Sequence, residues 1–140
     1  MRTIRDIILH CSATAEGKDF TVADIRQWHL ARGFMDIGYH YVIYRDGSIH
    51  AGRPLEQPGA HCTGHNRHSI GICYIGGCDA DAKTPKDTRT PQQKAAIAAL
   101  LGHLHDRFPL ATLHGHREDA HKACPSFDCH KDYDSIFTSK

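Results

Sequence analysis

The sequence has no long apolar run, no strong net charge and no Cys-x-x-Cys pair. No stretch of its 140 residues approaches the roughly 18 apolar residues that a membrane-spanning helix requires, so no membrane association is expected. Its 17 Lys and Arg residues nearly balance its 16 Asp and Glu residues, which leaves a formal net charge of +1. Nucleic-acid binding normally needs a strongly basic face, so it is not expected either.

No signal peptide is visible, since no apolar segment precedes the first predicted strand. We therefore expect synthesis in the cytoplasm, and reduced thiols rather than a disulfide framework, although the chain has six cysteines. No internal repeat, low-complexity segment or linker divides the sequence. A length of 140 residues suits one domain with a substantial core, so residues 1–140 are predicted to form a single domain.

Alternating strand and helix patterns predict an α/β domain with a central mixed β-sheet flanked by helices. Helices are predicted over Thr21–Arg32 and Thr90–Phe108, because each begins with a threonine N-cap and a capping-box partner. Trp28 is predicted to be a core anchor, and His103 and His105 are predicted to be solvated. Strands are predicted over 4–11, 39–44, 48–51, 69–75 and 110–113, and a last short helix over 132–137.

The segment Leu113–Asp128 (LHGHREDAHKACPSFD) concentrates three histidines, a lysine and a cysteine in turn-rich sequence. Imidazole and thiolate are the ligands that zinc prefers, so His116 and Cys124 form a candidate ligand pair. His10 is the candidate that faces them, because it lies at the C-terminal end of the first predicted strand, where α/β proteins tend to place their chemistry. Considered singly, His10 is better explained as a strand cap, and Tyr39 as a tyrosine bonded to nearby backbone.

Six blocks of sequence are informative together, in an order that covers most of the chain. They are HCSAT at 10–14, IRQWHLARGFMDIGYHYVI at 25–43, RDG at 45–47, NRHSIGICYIGG at 66–77, TPQQ at 90–93 and HREDAHKACPSFD at 116–128. In these blocks the chain resembles the zinc-dependent N-acetylmuramoyl-L-alanine amidases of the type-2 amidase superfamily. It is most similar to the small bacteriophage lysozyme-amidases, with the peptidoglycan recognition proteins as more distant relatives.

The resemblance implies a metal site, two catalytic residues and two substrate contacts. The zinc ligands would be His10, His116 and Cys124, the catalytic residues Tyr39 and Lys122, and the substrate-binding residues His61 and Asn66. His114 and His121 do not occupy the family's ligand positions. Cys11, Cys62 and Cys129 are extra thiols expected near the site, which raises the possibility of alternative ligation or oxidation, and no motif assigns them a role.

The expected function is zinc-dependent hydrolysis of the amide bond between N-acetylmuramic acid and L-alanine in peptidoglycan or muropeptides. Three protein ligands and an open fourth position are typical of catalytic zinc, whereas a structural site closes with four ligands. In this hypothesis Lys122 offers positive charge to the oxyanion, and Tyr39 orients the attacking water or relays a proton. We expect a monomer that acts on the cell wall after lysis or dedicated export.

Two other functions remain open from the sequence. A non-catalytic peptidoglycan-binding module would keep the cleft without the zinc, although such relatives usually lack the ligand cysteine that is present here as Cys124. A cysteine hydrolase would use Cys124 with a histidine base. Its Ala-Cys-Pro context does not offer the helix N-terminus that lowers the pKa of many catalytic thiols.

Overall fold

Strands and helices alternate along residues 1–138, which are the residues that the computed structural model describes. The strands are β1 (Asp6–Cys11), β2 (Thr14–Ala15), β3 (Tyr41–Ile43), β4 (Ile49–Ala51), β5 (Ser69–Tyr74), β6 (Gly77–Cys78) and β7 (Thr112–Gly115). The helices are α1 (Val22–Ala31), α2 (Pro91–Arg107), α3 (His116–Asp119) and α4 (Cys129–Thr138), with a short 3-10 helix over Asn66–His68. The last two residues of the predicted domain 1–140 lie outside the described residues.

The main sheet has five strands in the order β4-β3-β5-β1-β7. Strands β3, β5, β1 and β7 pair in parallel, and β4 pairs with β3 in antiparallel fashion through a hairpin. Strands β2 and β6 form a separate parallel pair. The predicted α/β fold with a central mixed sheet is therefore confirmed.

The two faces of the sheet have different chemistry because side chains alternate along each strand. Ile7, Leu9 and Cys11 of β1 belong to the main hydrophobic core, which also contains buried apolar residues of α2 and α4. The opposite face of β1 presents Asp6, Ile8 and His10, which pair in register with Ser69, Gly71 and Cys73 of β5. This second face is polar at both ends, and it carries His10 at the carboxyl end of β1.

The first turns of α1 and α2 confirm the predicted capping boxes. Thr21 accepts a hydrogen bond from the backbone of Asp24, and Thr90 accepts one from the backbone of Gln93. In turn, the side chains of Asp24 and Gln93 accept hydrogen bonds from the backbone amides of Thr21 and Thr90. The predicted strand at 110–113 begins later, at Thr112, because the Ala111 amide still bonds back to the helix end at Phe108.

Trp28 of α1 is 39% exposed, so the prediction that it is a core anchor is wrong. Its ring packs edge-on against Phe20, with 5.1 Å between ring centroids. The neighbouring His29 is buried in its place, because its Nδ1 accepts a hydrogen bond of 2.8 Å from the Gly38 amide. The inward side of α1 therefore carries Ile25 and His29 rather than Trp28.

The prediction of a solvated side chain is confirmed for His103 and wrong for His105. His103 is exposed, whereas His105 is buried and its ring lies 5.1 Å from the ring of Phe137. The reason is that α4 packs on α2 and covers this part of its surface.

Among the described residues, every helix is too short or too polar to span a bilayer.

A paired histidine near the start of α4 makes stability depend on pH. His130 Nε2 lies 2.7 Å from Glu118 Oε1, and its Nδ1 lies 2.7 Å from Asp134 Oδ1. The hydrogen bond to Glu118, followed by that to Asp134, raises the pKa of His130 to about 9. Because this value lies above the unfolded pKa of about 6.5, the stabilisation is complete below about pH 6.5 and is lost as pH rises toward 9.

His130→Gln should therefore lower the free energy of unfolding at about pH 6 and leave it nearly unchanged at about pH 9.5. We expect a loss of at most about 1 kcal/mol at the lower pH, because the side chain is 39% exposed and solvent screens the pair. Urea unfolding at both pH values measures the difference from the unsubstituted chain. His103→Gln, at an exposed position of α2, is the control. An equal difference at the two pH values would contradict the assignment.

Candidate active site

Three side chains from opposite ends of the chain meet at the carboxyl end of β1. His10 lies in β1, His116 is the first residue of α3, and Cys124 follows α3 in the next loop. One ligand atom from each residue lies within 4.8 Å of the other two. Since β1 and β7 are parallel neighbours, their carboxyl ends reach the same edge of the sheet. The structure thus brings together the three residues that the sequence predicts as metal ligands.

The sulfur of Cys124 is held by the strand that carries His10. The Cys11 amide donates a hydrogen bond of 3.1 Å to Cys124 Sγ. The interaction between the two side chains lowers the pKa of Cys11, and the same interaction, followed by burial, raises that of Cys124. A metal ion bound at Cys124 would favour its thiolate form.

Burial keeps the histidines of the site neutral. It lowers the pKa of His10 well below its ordinary value, and the nearby His61 and His116 lower it further. Burial, followed by the positive charge of Lys122, also lowers the pKa of His116. Neutral imidazole is the form that binds metal ions, so both rings are in the ligand form at neutral pH.

His61 contacts the ring of His10 directly. Its Nδ1 lies 2.8 Å from His10 Nε2, and its Nε2 lies 3.1 Å from Ser69 Oγ. Burial lowers the pKa of His61 to about 3, so the ring is neutral. Because Nε2 of His10 contacts His61, Nδ1 of His10 is the ring nitrogen that remains to bind a metal ion. His61 therefore orients His10, as partners of metal-binding histidines commonly do.

Asn66 fixes the loop that carries His61. Its Oδ1 accepts hydrogen bonds of 2.9 Å from the amides of both His61 and Cys62. His61 and Asn66 both line the cleft, as expected of substrate contacts. Both residues also contact neighbouring protein atoms and can position them, and their substrate contacts stay a prediction.

A cleft of about 380 Å³ opens beside the cluster. Its walls include Tyr39, His116 and Lys122, so the two predicted catalytic residues lie at the same opening as a predicted ligand. The Tyr39 ring is 5.1 Å from the His10 ring, and burial raises the pKa of its hydroxyl well above the ordinary value. Tyr39 is therefore a neutral hydrogen-bond donor at neutral pH. Lys122 is exposed to solvent.

Gly71 provides the space that the His61 ring occupies. A Cβ at this position would lie 2.7 Å from Cγ and Cδ2 of that ring, so Gly71→Ala should push the ring away from His10. We expect zinc affinity and activity to fall by about 10-fold to 100-fold, the usual cost of losing a ligand's partner. Zinc titration and rate measurements test this. Gly102→Ala is the control, because a Cβ there meets nothing within 4 Å. Unchanged zinc affinity in Gly71→Ala would contradict the positioning role of His61.

A second group of potential ligands is not predicted by the sequence. Cys62, His65 and Asp119 bring one ligand atom each within 4.8 Å of one another. Cys62 is expected near the site but without a role, and no motif singles out His65 or Asp119. Their proximity depends on the path of the loop before β5 toward the end of α3, which local patterns do not encode.

Comparison with known proteins agrees with the geometry. The family model for N-acetylmuramoyl-L-alanine amidase matches residues 1–127. The chain is 45% identical to the endolysin of Enterobacteria phage K11 over 120 residues, which are 86% of this chain and 79% of that protein. It is 32% identical to peptidoglycan-recognition protein SC1a of Drosophila melanogaster over 102 residues, 72% of this chain and 54% of that protein. The amidase LysC of Clostridium intestinale superposes with a TM-score of 0.80 at 28% identity, covering 94% of this chain and 83% of that one.

The mixed sheet, with a cleft where its parallel strands end, and these similarities define an enzyme that degrades peptidoglycan. The chain belongs to the N-acetylmuramoyl-L-alanine amidase family, and its activity is that of an amidase. The predicted family, fold class and enzyme class are confirmed.

Proposed function

We propose that this amidase cleaves the bond between N-acetylmuramic acid and L-alanine in a zinc-dependent reaction, with His10, His116 and Cys124 as the zinc ligands. The observation that carries the proposal is the convergence of these three residues beside the cleft. The substrate would be the peptidoglycan of a cell wall or its muropeptide fragments, reached after lysis or dedicated export.

The chemistry of the three residues fits zinc. Two neutral imidazoles and a cysteine held by a backbone amide are a donor set that zinc prefers, and three protein ligands leave one position open. When bound, zinc would supply Lewis acidity toward the scissile carbonyl and a water activated at neutral pH.

Lys122 and Tyr39 would act on the reacting amide from the walls of the cleft. The ammonium group of Lys122 would stabilise the negative charge that develops on the carbonyl oxygen during attack. The Tyr39 hydroxyl, kept protonated by burial, would orient the water or pass a proton toward the departing amine. His61 would hold His10 in place, and Asn66 would hold the His61 loop.

A non-catalytic binding module is the second candidate function, because the chain is similar to a peptidoglycan-recognition protein. The complete set of three ligand residues favours the enzyme. A cysteine hydrolase is disfavoured because Cys124 lies in the loop after α3, away from any helix N-terminus that would lower the pKa of its thiol.

Release of fragments from purified peptidoglycan separates these functions. We expect release by the zinc-loaded protein, its loss on treatment with a strong chelator, and its recovery on adding zinc. Release that survives chelation and stops on thiol alkylation would indicate the cysteine hydrolase. Sedimentation with peptidoglycan but no release under any condition would indicate the binding module.

A further inference from the structure

We propose a second metal site, for a divalent cation of the zinc type, formed by Cys62, His65 and Asp119 beside the amidase cleft. One ligand atom from each residue lies within 4.8 Å of the other two. Cys62 and Asp119 also line the cleft. None of the three residues belongs to the site at His10.

The donor set and its spacing suit a tetrahedral zinc ion. Thiolate, imidazole and carboxylate are all zinc ligands, at about 2.3, 2.0–2.1 and 2.0–2.2 Å respectively. A tetrahedron with such bond lengths places its nitrogen and oxygen ligands about 3.4 Å apart. His65 Nε2 lies 3.7 Å from Asp119 Oδ1, which is too long for a hydrogen bond but close to that spacing.

Asp6 and His114 provide a second layer of support behind these ligands. His65 Nδ1 lies 3.5 Å from Asp6 Oδ2, so a carboxylate faces the ring nitrogen that would not bind the ion. His114 lies between the two carboxylates, with Nε2 3.2 Å from Asp6 Oδ1 and Nδ1 3.1 Å from Asp119 Oδ2. A carboxylate behind a ligand histidine is the usual outer arrangement of zinc sites.

The cluster contains the Asp119 and Asp6 carboxylates, and one buried oxygen of Asp119 accepts no hydrogen bond within residues 1–138. Asp119 Oδ2 is buried and has no hydrogen bond of acceptable geometry within residues 1–138, despite its proximity to His114. Burial, followed by the Asp119 and Asp6 carboxylates, raises the pKa of the Cys62 thiol. A bound cation would neutralise this charge, engage the carboxylate and favour the thiolate.

A third cluster has the same ligand types, but its histidine already uses both ring nitrogens in contacts with carboxylates. Glu118, Cys129 and His130 also lie within 4.8 Å of one another. There both ring nitrogens of His130 are 2.7 Å from carboxylate oxygens, so no nitrogen is left for an ion. The longer separations of 3.5 and 3.7 Å around His65 leave its nitrogens without short partners of that kind.

The proposed ion would join two parts of the cleft wall. Cys62 and His65 belong to the loop that carries His61 and leads into the 3-10 helix at Asn66. Asp119 is the last residue of α3, which begins with His116. Three protein ligands leave a fourth position for solvent, because the cleft is open beside them. The role of the ion would be to fix this loop against α3.

Metal content of the full chain and of matched variants tests the site. Each protein is dialysed against zinc, washed by gel filtration and analysed for bound metal, with circular dichroism as the check on folding. We expect about two equivalents of zinc in the unsubstituted chain and about one in each of Cys62→Ser, His65→Gln and Asp119→Asn. Cys78→Ser, which changes a buried cysteine outside all three clusters, should retain both equivalents.

A Cys124→Ser variant separates this proposal from that for the first site. It should keep about one equivalent of zinc, and its cobalt form should keep a thiolate-to-metal absorption band that disappears when Cys62→Ser is added. One equivalent in the unsubstituted chain, lost in Cys124→Ser, would overturn the second site and leave the first intact. One equivalent lost only in Cys62→Ser would support the second site and overturn the first. No bound zinc in any protein would overturn both, and would leave the second cluster as an ion-pair network only.

Discussion

Cys124→Ser should remove the zinc of the first site and reduce the rate of peptidoglycan hydrolysis by at least about 1,000-fold. The magnitude follows because a catalytic metal contributes several kcal/mol to transition-state stabilisation, and each 1.4 kcal/mol is a factor of about ten in rate. A serine hydroxyl is a poor zinc ligand at neutral pH, and the Cys11 amide would lose its sulfur acceptor. His10→Ala should behave in the same way, since it removes an imidazole ligand.

Bound zinc and initial rates are measured on the same protein samples. Cys78→Ser is the matched control, because Cys78 is a buried cysteine of β6 that belongs to no ligand cluster in the described chain. Full activity in Cys124→Ser at unchanged zinc content would show that this cysteine is not a ligand. Loss of activity with zinc fully retained would assign it a different role.

Lys122→Ala and Tyr39→Phe should have the opposite pattern, with zinc retained and turnover reduced. Removing one preorganised electrostatic group or proton donor typically costs about 100-fold to 1,000-fold in kcat. Neither residue belongs to the cluster of three ligands, so metal affinity should change little. Steady-state rates on a soluble muropeptide, together with metal analysis, separate the effect on kcat from an effect on binding.

Matched controls exist for both substitutions. Lys131→Ala removes an exposed lysine from α4, and Tyr41→Phe removes a hydroxyl from the side of β3 that packs against the main core. Activity in Tyr39→Phe equal to that in Tyr41→Phe would exclude a chemical role for the Tyr39 hydroxyl. A large loss of zinc in Lys122→Ala would show that the lysine acts through the metal site rather than on the substrate.

The sequence predicts well what depends on local chemistry. The capping boxes at Thr21 and Thr90 and the alternation in β1 and β5 are readable because neighbouring residues determine them. The candidate metal ligands are predicted from ligand chemistry and from the resemblance, and the catalytic residues from the resemblance alone. The structure places both sets at one end of the sheet. Their roles stay predictions until the variants above are measured.

What the sequence does not predict depends on packing between distant segments. The burial of His29 rather than Trp28 follows from a bond to Gly38, and that of His105 follows from the packing of α4 on α2. The contact between His61 and His10 joins residues 51 positions apart. The cluster at Cys62 and Asp119 likewise forms only when the loop before β5 meets α3.

Mass spectrometry of peptidoglycan digested with the zinc-loaded enzyme tests the central claim most directly. The account predicts free stem peptides that begin with L-alanine, accompanied by glycan strands whose lactyl groups carry a free carboxylate. These products should be absent after chelation and return with added zinc. Stem peptides that remain attached to N-acetylmuramic acid while other bonds are cut, or release of free peptides that chelation does not reduce, would contradict it.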